Sequence, residues 1–162
     1  MRKLLAAAFA AVFMVVCLAG CTAAPPEKTD ADYYKEYMEL ESTQAFLNDL
    51  VEYSDQLSDV LENGSDAEFK DLVDRMEAVM DSVINNENVP EVCGKMNKAA
   101  VAACENGKEW LGYIEAYRDA AKAGDGFAAL NEANSAKSVR DIVDIDIAKF
   151  NEEHEHLKLE YE

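Results

Sequence analysis

The residues with the most chemical capacity are few. Two histidines, His154 and His156, stand in the run Asn151-Glu152-Glu153-His154-Glu155-His156. Glu153 and His156 make an E-x-x-H, the spacing from which carboxylate-bridged di-metal sites are built in helical bundles. Such a site needs a second E-x-x-H and further inward-facing glutamates, and a chain with 2 histidines in all cannot supply them. Residues two apart on a helix point to nearly opposite sides, so His154 and His156 cannot hold one ion together. Glu152, His156 and Glu160 share a face, as expected of a solvated acidic helix end. No metal ligand, cofactor or catalytic residue is assigned on this basis. The sequence also lacks G-x-S-x-G, H-E-x-x-H, a P-loop, G-x-G-x-x-G and a D-x-D-x-D-G calcium loop. The expectation is a protein that is not an enzyme.

Cys93 and Cys104 are the other reactive pair. On one continuous helix, residues 11 apart share a face, but they are separated by roughly 16 Å along the axis at 1.5 Å per residue. A disulfide spans Cα atoms within about 7 Å. An intrachain bridge therefore requires a break in the helix, for which Gly94 offers a place. The alternatives are two thiols packed in the core as small hydrophobes and a bridge between molecules. Without a Cys-x-x-Cys, a redox-enzyme role is not expected.

The N-terminus carries a different kind of chemistry. Met1-Arg2-Lys3 is a short basic start, Leu4 to Leu18 is apolar throughout, and the run ends in Leu18-Ala19-Gly20-Cys21. The apolar stretch is short for a bilayer span and has the flanks of a secretory signal. This combination resembles a bacterial lipobox. The resemblance implies that residues 1–20 are a lipoprotein signal peptide and that Cys21 is lipidated with acyl chains such as palmitate. It places the protein on the extracytoplasmic face of a bacterial cell membrane, where more than one chain gives stable attachment. Residues 21–29 then form the lipidated cysteine and a tether, with Pro25-Pro26 favouring an extended path. Residues 30–162 form the folded domain.

That domain reads as all-α. Helix 1 is expected over Asp30 to Glu62, capped by Thr29 with Asp32 and carrying Tyr33, Tyr37, Leu40, Leu47, Leu50, Val51, Leu57 and Leu61. Asn63-Gly64 is expected to end it through a left-handed glycine. Ser65 and Glu68 make a capping box for helix 2, whose apolar positions run from Phe69 to Ile84. Pro90 suits the first turn of helix 3, which extends to Ala123 with Trp110 as a core residue. Gly124 stops that helix and Asp125 caps helix 4. The β-branched patch Asp141 to Ile147 is assigned to helix 4 because no second strand-like run exists to pair with it. The expected architecture is an antiparallel four-helix bundle with long helices, up-down-up-down. The stretch from Val89-Pro90-Glu91-Val92 through an Ala-rich helix to Gly124-Asp125 and Leu130-Asn131-Glu132-Ala133-Asn134 resembles helical-bundle lipoproteins of Gram-positive bacteria. That resemblance implies a fold and a surface location but no activity.

Charge narrows the partners. The net charge of −18 over 162 residues, with 15 basic against 33 acidic, excludes nucleic acid as a natural partner, since neutralising phosphates needs clustered Lys and Arg. Removing residues 1–20 takes away two basic residues and leaves −20. The acidity falls on helices 1, 2 and 4, whereas Pro90 to Ala123 holds 5 acids and 5 bases. Helix 3 is therefore expected to be the most buried helix or a contact surface for a protein partner. The functional expectation is binding or structural spacing at the membrane. The alternative is a binder of divalent cations or small basic ligands through acidic helix faces. Tyr33, Tyr34 and Tyr37, with His154, Leu157 and Tyr161 returning to the same end, suggest either a binding cluster or end packing with Tyr34 near lipid headgroups. Replacing Cys21 by Ser should move the protein from the detergent phase to the aqueous phase in a phase-partition assay.

Overall fold

The helix ends follow from local capping chemistry. The computed structural model describes residues 27–161, so the signal segment and Cys21 lie outside the described residues. Thr29 starts α1 (Asp30–Glu39) with both halves of a capping box, its hydroxyl accepting from the Asp32 N–H and the Asp32 carboxylate accepting from the Thr29 N–H. Ser65 and Glu68 do the same for α3 (Asp66–Ile84). Asp125 starts α5 (Gly126–Tyr161), its Oδ1 accepting from the Ala128 N–H at 3.0 Å. The end of α4 (Gly94–Lys122) is turned by Gly124, whose φ of 75° is the left-handed conformation. The Gly124 N–H donates to Ala121 O and the Asp125 N–H to Ala120 O. These two bonds satisfy carbonyls that the helix end would otherwise leave open.

The described residues form only helices and turns, with five α-helices packed together. The first expected helix is two. Leu40, at φ −61° and ψ 137°, separates α1 from α2 (Glu41–Asn63). The cause lies in the phase of the apolar positions. Tyr34 and Tyr37 are buried on α1, and Phe46 and Leu57 on α2. At about 100° per residue, Tyr37 and Phe46 would point to opposite sides of one straight helix. One extended residue resets the phase so that both face inward. The Gln44 side chain donates to Met38 O at 2.6 Å, covering a carbonyl released by the break.

Two further expectations change. Gly64 closes α2 at φ −75°, not in the left-handed region. Its lack of a side chain matters for space, because a Cβ there would lie 2.6 Å from Val60 O. Pro90 precedes a 3-10 turn over Glu91–Cys93 rather than sitting in the helix itself, and α4 begins at Gly94. The patch Asp141 to Ile147 is helical throughout.

The core runs through all five helices and includes Tyr34, Phe46, Leu72, Met76, Met96, Leu111 and Phe150. Helix α4 is the shared element, lying along both α3 and α5. Its buried Ala99, Ala100, Ala103 and Gly107 allow neighbouring side chains to approach its backbone. Its cations reach outward to carboxylates of α3: Lys108 Nζ is 2.8 Å from Asp81, and Lys122 pairs with Asp66. Arg118 is buried over the Phe69 ring and donates to Gly64 O at 2.7 Å, fastening the α2–α3 turn to α4. Asp146 of α5 is also buried, accepting from Asn106 of α4 at 2.9 Å and from Lys149 at 2.7 Å.

Gly124→Ala should lower stability by about 1–2 kcal/mol, the cost of a left-handed residue with a Cβ. Gly112, in α4, has no atom within 4 Å of the place a Cβ would take, and it should behave oppositely. Gly112→Ala should raise stability by roughly 0.5–1 kcal/mol through helix propensity. Urea unfolding of both variants measures the contrast.

Candidate binding groove

Helices α2 and α5 stand apart and leave a groove between them. One wall is Phe46, Leu47, Leu50 and Val51 of α2, spaced by threes and fours so that they follow one helix face. The opposite wall is Val143, Ile147 and Phe150 of α5, in the same spacing. Met76 and Met80 of α3 and Ala103, Gly107 and Trp110 of α4 form the floor. Gly107 lets Met80 lie close to the α4 backbone, since a Cβ there would be 2.9 Å from Met80 Cε and would make that side chain shift. The groove encloses about 310 Å³, within the range of small-molecule sites.

Each end is marked by a contact across the two helices. At one, Phe46 and Phe150 meet edge to face with ring centroids 5.0 Å apart. At the other, Arg140 Nη1 lies 3.5 Å from Ser54 Oγ. The Arg140 guanidinium also lies 5.2 Å from the centre of the Trp110 ring, and its Nε donates to Asp144 at 3.0 Å. Polar lining comes from Ser54, Asp55, Arg140 and Asn151 alone, and includes no Cys, His or Lys. Such a surface can desolvate an apolar body and orient a polar end. It brings no nucleophile together with a base.

The residues singled out from the sequence lie elsewhere. Cys93 and Cys104 are not bridged; both are free thiols buried in the core. The break that a disulfide required falls at Cys93 itself, so that helix α4 carries the chain continuously from Gly94 past Cys104. Burial pushes the Cys93 thiol up to about 11, and burial with the nearby Glu105 carboxylate pushes Cys104 up to about 12. His154 lies between aromatic rings, 6.3 Å from Tyr34 and 6.0 Å from Phe150 by centroid. His156 is exposed, with Nδ1 3.9 Å from Glu160. Among the described residues no three His, Cys, Asp or Glu side chains are grouped to hold a metal ion.

Of the tyrosines at that end, Tyr34 and Tyr37 are packing residues, whereas Tyr33 is exposed with Lys28 over its ring. Tyr34 is 2% exposed and pairs with Tyr161 at 6.1 Å, so its ring is in the core and not at a lipid headgroup. Tyr37 donates to Asn97 Oδ1 at 2.9 Å, and burial pushes its phenol up to about 12. Trp110, expected as core, is only half-buried and faces the groove. Phe46, Ser54, Arg140 and Asn151 belong to no motif that marks them in the sequence. The periodicity at Phe46 is the available signal, and a single unbroken first helix obscures it. Arg140 carries an i,i+4 partner in Asp144, which reads as an ordinary exposed ion pair. Comparison of the chain with known protein families, curated proteins and solved structures finds no match.

The buried thiols give a test by pH. Native Cys93 and Cys104 should react with a thiol reagent at pH 8 far more slowly than the unfolded chain does. Both pKa values are raised on folding from an ordinary 9.0. Their contribution to stability is therefore full below pH 9 and is lost as pH rises towards 11–12, because the unfolded state ionises first. Denaturant midpoints across that window should fall less steeply in a Cys93→Ala, Cys104→Ala double variant.

Proposed function

We propose that this protein is a lipid-anchored, extracytoplasmic binding protein whose helical domain holds a small apolar molecule in the α2–α5 groove. The observation that carries the binding role is the groove itself: about 310 Å³, walled by aliphatic and aromatic side chains, with four polar residues in its lining. Large apolar surface left open between helices is costly in water unless something covers it. The anchor at Cys21 is supported by the basic start, the apolar run and Leu18-Ala19-Gly20-Cys21. No helix among the described residues is long and apolar enough to cross a membrane.

The same reading takes the architecture as an antiparallel four-helix bundle, up-down-up-down, made by α2 to α5, with α1 as a separate attachment. Cross-helix pairs support it. Asp66 meets Lys122 while Asp81 meets Lys108. Asn106 meets Asp146 while Trp110 meets Arg140. In each set, position rises along one helix as it falls along the other. In that arrangement the groove lies between the first and last helices of the bundle, α2 and α5.

Trp110 is the single tryptophan of the chain and half-buried in the groove, so its emission reports occupancy. Titration with a neutral apolar probe such as N-phenyl-1-naphthylamine should quench Trp110 and saturate at one site. Leu50→Arg, which places a charge on the groove wall, should weaken binding by about tenfold or more while far-ultraviolet circular dichroism stays helical. Unsaturable quenching that Leu50→Arg leaves unchanged would refute the groove as the site.

A further inference from the structure

We infer that the groove takes a cationic amphiphile, an apolar chain or ring ending in an ammonium or guanidinium group, with its head at Asp55 and its body along Met76, Met80 and Trp110. The inference rests on the groove being the binding site, and adds the class of ligand. Size comes first. The Phe46–Phe150 and Ser54–Arg140 contacts close the groove at both ends. They stand eight residues apart on α2, about 12 Å at 1.5 Å per residue. A helix, about 10–12 Å across with its side chains, could not lie between the walls without parting both contacts. A small molecule fits without doing so. Met76 and Met80 form a floor of flexible thioethers, a surface that adapts to apolar shapes.

Charge selects the head group. Helix α2 (Glu41–Asn63) carries six carboxylates and no Lys or Arg. Helix α5 (Gly126–Tyr161) carries eight carboxylates against four bases. The groove's own lining holds one Asp and one Arg, and the net negative charge of the two helices that flank it attracts cations towards its mouth. Arg140, the one cation in the lining, is already engaged by Asp144, Ser54 and the Trp110 ring. Asp55 makes no ion pair among the described residues and lies at the rim. A second copy of this chain, also at −18, would be repelled by the same walls.

The test compares three water-soluble probes with one body: 6-phenylhexylammonium, 6-phenylhexanol and 6-phenylhexanoate. The full chain is held in zwitterionic vesicles and binding is followed through Trp110. The ammonium should bind at least about tenfold more tightly than the carboxylate at low salt, and the advantage should shrink at high ionic strength. Asp55→Asn, an exposed change, should remove most of that preference, bringing the ammonium and the carboxylate towards equal affinity. If hexanol binds but charge makes no difference, or if the carboxylate binds most tightly with its head at Arg140, the cationic class is wrong and the groove function stands. If none of the three binds, the proposed function fails with it.

Discussion

The whole arrangement depends on α4 being buried from two sides. A helix can lie against two neighbours over its length only if its inward residues are small and its charges have somewhere to go. Ala99, Ala100, Ala103 and Gly107 meet the first condition. The second is met because its cations find acids on α3: Lys108 with Asp81, and Arg118 and Lys122 with Asp66. These pairs are largely exposed on the acidic side, so each adds little stability by itself. Their effect is on register. They align α3 with α4 at two points along the helix and leave the α2–α3 turn fastened by Arg118.

Bases and acids nearly balance on α4 but not on the outer walls, where α5 carries eight carboxylates against four bases. Helix α2 has no base of its own, and its links to basic residues are Arg75 over the Tyr53 ring and Arg140 near Ser54. Helices α2 and α5 thus face each other with like net charge, and Phe46–Phe150 and Ser54–Arg140 are contacts that join them. The groove is the space that remains. Its floor and one wall are continuous with the core, since Met76, Met80 and Phe150 belong to both. Occupancy of the groove would therefore be felt directly by core packing.

Much of this was legible in the sequence wherever the determinant is local. The Thr29–Asp32 and Ser65–Glu68 boxes, the Asp125 cap and the Gly124 stop are short-range chemistry, and each is where its residues place it. The helical state of Asp141 to Ile147 followed from the absence of a strand partner. The break at Leu40 was not legible in the same way. It arises because Tyr34 and Tyr37 of α1 and Phe46 and Leu57 of α2 must all be buried, which one straight helix cannot achieve with Tyr37 and Phe46 on opposite sides, a demand set by tertiary packing. The burial of Arg118 and Asp146 was hidden for the same reason, as each depends on a partner 54 or 40 residues away. The groove was beyond reach, because periodicity assigns a face to each helix but not the distance between two faces.

The division at Leu40 also decides how the molecule bears load. Any pull on the N-terminal segment enters through α1, a ten-residue helix. That helix is held by Tyr34 against Tyr161 and His154, and by the Tyr37 hydroxyl on Asn97. Because the backbone helix is interrupted at Leu40, α1 and α2 need not unwind together: detaching α1 costs those ring contacts, the Tyr37 bond and the Gln44–Met38 bond across the break.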